Sequence, residues 1–161
     1  SHDTPEFAVD CLATWWRLDG RNRFPVAGQL LILADGGGSN GFRCRAWKYF
    51  LQHCLCDPHR LSVTVAHYPS GASKWNPIEH RLFSEISKNW AGQPLESYEP
   101  LLKYIRTTQT RTGLRVRAIL DTHGYETGIK VSDRQMMAVR LRRHPVLPLW
   151  NYTIAPNGRK M

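Results

Sequence analysis

The sequence predicts an α/β fold, and three features predict it. Segments with helical periodicity alternate along the chain with short apolar runs. The first of those runs, L-L-I-L-A at 30–34, has no polar alternation and reads as a strand covered on both faces. The segments are separated by clusters of glycine, proline, serine and asparagine, as in loops. The 161 residues suffice for one domain with an ordinary core. Hydrophobic residues at 42% and charged residues at 22% argue against a disordered chain. No run approaches the roughly 18 apolar residues of a bilayer crossing, and no signal-peptide pattern is present. Ser1 and His2 read as the remnant of a cleaved tag and are left out of the fold, which takes 3–161.

In chain order, residues 6–18 set Phe7, Cys11, Leu12, Trp15 and Leu18 on one helical stripe, closed by Asp19-Gly20. A polar connection with Pro25 leads to the strand at 30–34. Gly36-Gly37-Gly38 interrupts regular structure, and Ser39 or Asn40 suits the cap of a helix at 42–55. That helix draws its buried side from Phe42, Ala46, Tyr49 or Phe50, and Leu55, and Asp57-Pro58 ends it. A second strand at 61–66 turns Leu61, Val63 and Val65 one way, and 67–75 has a loop composition.

Asn76-Pro77 marks a helix start: asparagine caps, and proline at the first helical position needs no N–H. The helix runs to about Trp90 with Ile78, Leu82, Phe83, Ile86 and Trp90 inward, stopped by Gly92 and Pro94. Residues 95–107 form another helix around Leu101, Leu102 and Ile105. Residues 114–120, L-R-V-R-A-I-L, alternate apolar and basic, as a strand or an extended arm with one solvated face. Ser132 and Gln135 can form a capping box for a short helix through Leu141, and 149–154 is the last strand.

The charge balance narrows the partners. Twenty-two lysines and arginines face 13 acidic residues, a net charge of +9, and 16 of the bases are arginine. Residues 81–161 hold 14 basic against 6 acidic side chains, so nearly all the excess lies in that half. A polyanion such as nucleic acid is the expected partner, although many basic proteins are merely soluble. The four cysteines lack the spacing of a disulfide frame, and H-C-L-C-D-P-H at 53–59 lacks paired zinc-ligand spacing, which favours reduced thiols in the cytoplasm.

Two carboxylates stand at the ends of elements. Asp35 follows an apolar strand and precedes three glycines, at the edge where α/β proteins collect ligands. It also suits a simple turn. Glu79 lies on the first turn of the helix after the second strand, where capping explains it as well as chemistry does. If the strands are parallel neighbours, the two converge on one sheet edge. A carboxylate pair without a fixed histidine suits Mg²⁺ or Mn²⁺, and two such ions about 4 Å apart support in-line attack on a phosphodiester. A third carboxylate is needed, and none of Asp10, Asp19, Asp57, Asp121 or Asp133 ends an apolar strand in the required way.

These residues carry a family resemblance. Asp35 in L-L-I-L-A-D-G-G-G-S-N, followed 44 positions later by Glu79 in H-Y-P-S-G-A-S-K-W-N-P-I-E-H-R-L-F, resembles the last two acidic residues of a DDE transposase. With T-R-T-G-L-R-V-R-A-I-L-D (110–121), Y-E-T-G-I-K-V-S-D (125–133) and W-N-Y-T-I (150–154), the chain is similar to the DDE domain of Rhodopirellula-type bacterial transposases over residues 6–156. The resemblance implies an RNase H-like fold, the integrase/transposase catalytic core: a five-stranded mixed sheet with helices on both faces. Asp35 would end its fourth strand and Glu79 would follow its fifth. The first three strands and the first catalytic aspartate are not in this sequence, so the resemblance implies a C-terminal portion of the catalytic domain.

The resemblance also implies a parent enzyme that cleaves and joins DNA with two Mg²⁺ or Mn²⁺ ions, with Asp35 and Glu79 as ligands and this portion inactive alone. The partners would be transposon-end and target DNA and a second copy of the chain, in a bacterial cytoplasm and on the nucleoid when bound, with no membrane. The unpaired fourth strand would drive self-association. A noncatalytic remnant that binds nucleic acid or helps assembly is the alternative, and a nuclease acting on RNA or a hybrid duplex is a third reading. Candidate DNA contacts are Lys74 and Trp75 before the capped helix, Arg106, Arg111, Arg115 and Arg117, and Arg140, Arg142 and Arg143 at a helix end beside His144. Each is equally a solvated or packed surface residue. His67 and His80 are candidate groups around the carboxylates, as phosphate contacts or outer ligands.

Overall fold

The computed structural model describes residues 3–69, 71–72, 76–94 and 96–158, which fall into two units, one within 1–71 and 124–161 and the other within 72–123. In the first unit Thr4 opens helix α1 (Pro5–Trp15): its Oγ1 accepts from Phe7 N at 3.1 Å, and Pro5 takes the position where no N–H is needed. The helix continues through a wider π-type turn, Trp16–Gly20, into α2 (Arg21–Arg23). Its buried side carries Val9, Trp16 and Gly20, whereas Cys11, Trp15 and Leu18, expected inside, are exposed. Apolar residues occupy more than one face of this segment, so spacing alone supports two stripes. The observed one places the Trp16 ring over Gly20, where any side chain would meet it at 2.6 Å.

Strand β1 (Gln29–Ala34) pairs in parallel with β2 (Ser62–His67), from Gln29 opposite Ser62 to Ala34 opposite His67. Between them, α3 (Arg45–Phe50), a π-type turn at Leu51–Cys56 and α4 (Asp57–His59) make one helical run that ends at Arg60 in the left-handed region (φ 57°). Asp57-Pro58 therefore does not stop the helix. The wide turn before it lets Pro58 begin a new turn, where its missing N–H leaves no gap.

After α5 (Pro77–Trp90) and α6 (Tyr98–Thr107) of the second unit, the chain returns through α7 (Asp133–Met137), then β3 (Leu141–Arg143) and β4 (Asn151–Ile154). Ser132 and Gln135 form the expected capping box, but α7 stops at Met137 because Leu141 joins the sheet opposite Ile154. Among the described residues the sheet is mixed and four-stranded, in the order β1-β2-β4-β3, with β4 antiparallel to both neighbours.

One face of this sheet, with Ile32, Ala34, Val63, Val65, Tyr152 and Ile154, packs on Val9, Trp16, Trp47, Leu51 and Leu55 from the helices. The opposite face exposes Leu31 by 61% and Leu33 by 56%. β1 is an edge strand, so the expectation of a strand covered on both faces fails. An unbroken apolar run records what the strand suits, and here one layer and one neighbouring strand supply only part of it.

In the second unit α5 (Pro77–Trp90) begins at the predicted cap and ends at the predicted tryptophan. Ile86 is its buried residue, while Ile78 and Phe83, expected inward, are exposed. α6 (Tyr98–Thr107) packs against it, and the Asn89 amide ties the two, donating to Tyr104 O at 2.6 Å and Thr107 Oγ1 at 3.0 Å. Residues 114–120 form no strand: a single bridge joins Gln109 and Arg115, and among the described residues of this unit there is no strand to extend it. Their alternation survives as exposure, with Arg115 and Arg117 outward and Leu114, Val116 and Ala118 half-buried. No helix among the described residues is long and apolar enough to cross a membrane.

A buried amide clasps the end of the first unit. Gln52, fully buried in the π turn, donates to Asp57 Oδ1 (2.6 Å) and Ala155 O (3.0 Å) and accepts from Arg140 N (2.8 Å). Asp57 in turn accepts from Asn157 N at 2.7 Å and Asn157 Nδ2 at 3.1 Å. Replacing Gln52 with leucine removes both donors and the acceptor at once while keeping most of the volume, and leaves Arg140 N–H without its partner. Gln52→Leu is expected to destabilise the chain by about 2–4 kcal/mol, read as a lower urea midpoint at constant slope. An unchanged midpoint would show that the clasp contributes nothing to folding.

Candidate functional site

The described structure brings Asp35 and His67 together. The parallel ladder ends at the Ala34–His67 pair, and Tyr68 N then donates to Ala34 O at 2.7 Å. One residue further, where no strand continues, the imidazole of His67 takes over: its Nδ1 lies 2.7 Å from Asp35 O. A carbonyl only accepts, so Nδ1 carries the proton and Nε2 is left as an acceptor, 3.2 Å from the Tyr152 hydroxyl. The Tyr152 oxygen receives the Trp47 indole N–H at 3.0 Å, which turns its own proton toward His67.

All three side chains of this relay are buried, His67 at 6% exposure, Trp47 at 2% and Tyr152 at 1%. Burial lowers the His67 pKa against the opposing pull of the Asp35 carbonyl, with Lys48 adding to the lowering, so the neutral ring is favoured. Burial likewise raises the Tyr152 pKa, only partly offset by the Trp47 donor. Lys48 closes the layer from one side: its Nζ donates to Phe42 O at 2.6 Å and stands 5.1 Å from the centre of the Tyr152 ring. The Phe42 ring stands edge-on to His67 at 6.1 Å.

Asp35 itself is exposed. Ser39 and Asn40, expected to cap the next helix, instead form a short 3₁₀ turn with Gly38, and α3 starts at Cys44 without a side-chain cap. With its amide turned to face acceptors, Asn40 donates to Asp35 Oδ1 at 3.0 Å and Gly37 O at 2.8 Å, while Ser39 Oγ donates to Asp3 Oδ1 at 2.8 Å. The three glycines thus close a turn around the carboxylate.

Glu79 belongs to the second unit, on the exposed first turn of α5. Asn76 holds it doubly: Asn76 Oδ1 accepts from Glu79 N at 3.5 Å, and Asn76 Nδ2 donates to Glu79 Oε2 at 3.3 Å. His80 is exposed beside it, its backbone N–H on Asn76 O. Arg106, Arg111, Arg115 and Arg117 are in the same unit and all exposed, and Arg106 is also structural, its Nε donating to Ala118 O at 2.8 Å. A turn closed by Thr110 and by Gly113 in the left-handed region (φ 99°) presents Arg111, beside a groove of about 430 Å³ between Ile78, Leu82 and Leu114. Arg142 and Arg143 lie on β3 in the first unit, with Arg140 just before it, rather than at a helix end, because the chain pairs with β4 there. Arg140 donates from Nη1 to Pro156 O at 2.8 Å. Lys74 and Trp75 lie outside the described residues.

As hard oxygen donors, Asp35 and Glu79 are the kind of ligand that Mg²⁺ or Mn²⁺ takes. Among the described residues no group of three histidine, cysteine or acidic side chains comes together. Sequence reasoning missed Asn40, Tyr152 and Trp47. Asn40 was legible as a polar residue after glycines but pointed to a helix cap, and Trp47 read as packing. The role of Tyr152 depends on fold contacts with residues 47 and 67 that no local pattern carries.

Neither the curated proteins nor the solved structures contain a match to the chain. A family model does: the Rhodopirellula transposase DDE domain aligns with residues 1–156, through both strands, both carboxylates and the W-N-Y-T-I strand. By that near-complete match the chain belongs to the DDE transposase family of Rhodopirellula type, the transposition machinery of a bacterial mobile element.

Proposed function

We propose that this chain is the C-terminal portion of a transposase catalytic domain, and that its parent enzyme cleaves DNA at the transposon ends and joins them to target DNA with Asp35 and Glu79 as two of three metal-binding carboxylates. The observation that carries this reading is the placement of Asp35: exposed at the carboxyl end of a strand in a parallel pair, with its main chain clamped from beneath. Bound Mg²⁺ or Mn²⁺ would activate the attacking water or 3′-hydroxyl and neutralise charge on the departing oxygen. The chain's own side chains do the rest. Asp35 and Glu79 offer oxygen ligands, Asn40 and Asn76 orient them, and the arginines hold the DNA phosphates. The first carboxylate would come from a strand beside β1, whose outer edge has no strand partner among the described residues. Without it, this portion alone is inactive.

In the transposase carrying that first aspartate, Asp35→Asn and Glu79→Gln should each abolish Mn²⁺-dependent nicking of end-bearing DNA while melting temperature and DNA binding stay unchanged. Full cleavage by either variant would sink the assignment, and DNA binding without cleavage by the unaltered enzyme would favour the noncatalytic assembly role. For the basic track, Arg115→Ala with Arg117→Ala is expected to reduce the slope of log affinity against log salt by about 2, measured by fluorescence anisotropy. A slope equal to the parent's would remove these residues from the interface. The open edge predicts self-association of the isolated chain. Light scattering should give a mass above that of one chain, returned to one chain by Leu31→Lys with Leu33→Lys; a monomer before substitution overturns this.

A further inference from the structure

We propose that His67 is the positioning residue of Asp35: its imidazole, held in one tautomer by Tyr152 and Trp47, extends the parallel ladder by one hydrogen bond and fixes the direction in which the Asp35 carboxylate leaves the sheet. The inference deepens the reading of Asp35 as a catalytic carboxylate and rests on it for its purpose, though not for its geometry.

The geometry follows from two successive carbonyls. Ala34 O is taken by Tyr68 N at 2.7 Å and Asp35 O by His67 Nδ1 at 2.7 Å. These bonds fix the peptide planes before and after the Asp35 Cα. Two fixed planes set both backbone dihedrals of the residue between them, and with them the Cα–Cβ direction. Asn40 then restrains the carboxylate at Oδ1. Without the imidazole, the second plane would belong to a run of three glycines, the least constrained backbone a chain can have.

The ring can do this only with Nδ1 protonated, and its other partner suits the tautomer that leaves Nε2 bare. Trp47 Nε1 is a donor only, so the Tyr152 oxygen accepts from it; with Nδ1–H on the Asp35 carbonyl, the neutral ring leaves Nε2 bare to accept the Tyr152 hydroxyl proton. The three hydrogen bonds therefore run in one direction, from Trp47 through Tyr152 and His67 to Asp35 O. A histidine serving packing alone would need neither a fixed tautomer nor the carbonyl of this residue.

The test uses the whole chain and nuclear magnetic resonance. A long-range proton–nitrogen spectrum should show His67 protonated at Nδ1 and bare at Nε2; the opposite tautomer, or an average of the two, overturns the proposal. His67→Asn, whose amide nitrogen stands near the Nδ1 position, should keep the Asp35 and Gly36 backbone signals close to those of the parent. His67→Phe should shift them and speed exchange of the neighbouring amides. Tyr152→Phe, which keeps the aromatic packing, serves where His67→Phe does not fold: it should release the tautomer and loosen Asp35. Folded Phe variants with unaltered Asp35 signals would defeat the inference. Titration with Mn²⁺ adds a separate reading: broadening at Asp35 should need about 10-fold to 100-fold more Mn²⁺ in His67→Phe than in the parent or His67→Asn. Absence of broadening in the parent would defeat the metal reading, and the tautomer and Asp35 signals would still decide the positioning role.

Discussion

Around Asp35 the first unit depends on where the parallel ladder between β1 and β2 stops. Backbone pairing runs out at Ala34 and His67, and a carbonyl just beyond a sheet end is ordinarily left to water. Here the last side chain of β2 folds over and takes it. That arrangement requires a polar ring in the core, which is costly unless both nitrogens are partnered. Tyr152 supplies the second partner and Trp47 the third link, so the layer closes with no buried side-chain nitrogen or oxygen among the described residues left without a hydrogen bond. Burial disfavours the charged ring, and the neutral ring is the only form that can donate at one nitrogen and accept at the other. The four residues come from β1's end, α3, β2 and β4, so the exposed carboxylate reports on the assembly of the whole unit.

The basic side chains divide by what they touch. Arg140 and Arg106 each spend a guanidinium hydrogen bond on a main-chain carbonyl, Pro156 O in one unit and Ala118 O in the other. They hold chain segments in place. Arg111 and Arg115 in the second unit, and Arg142 and Arg143 in the first, stand exposed on or beside those segments. Each unit therefore carries one candidate carboxylate and one group of candidate arginines, one of which is tied to the main chain.

Much of this was legible in the sequence, for reasons that can be named. The strands at 30–34 and 61–66, the Asn76-Pro77 helix start and the Ser132–Gln135 capping box are local chemistry, and local chemistry decided them. The alternation at 114–118 predicted which side chains face out, but pairing needs a neighbour and that is a tertiary fact. A π turn defeated one helix reading: a 3.6-residue period cannot register a turn that adds a residue, so the end of the second helical run was misplaced. The buried stripe of α1 was misplaced because its apolar residues occupy more than one face. Leu141 was drawn into a helix by its spacing and into the sheet by Ile154. The partners of His67 lie 32 and 85 residues away, beyond the reach of any pattern.

The same strand that presents Asp35 is the one whose edge is open, and the two facts have one physical origin. Gln29–Ala34 has no charge, no proline and no bulge, the devices by which natural sheets blunt an edge. In a chain with 22% charged residues, six consecutive uncharged positions at an edge are not a solvated design. Leu31 and Leu33 point to the uncovered face, and the outer edge has no ladder partner among the described residues. A strand so composed is a central strand by its chemistry, suited to a neighbour on each side. On the proposed reading that neighbour carries the first aspartate, and pairing would place its end beside Asp35 with the same strand-to-strand spacing that sets β2 beside β1, about 4.8 Å. On that reading the open edge is the seam along which the remaining metal-binding carboxylate would be delivered.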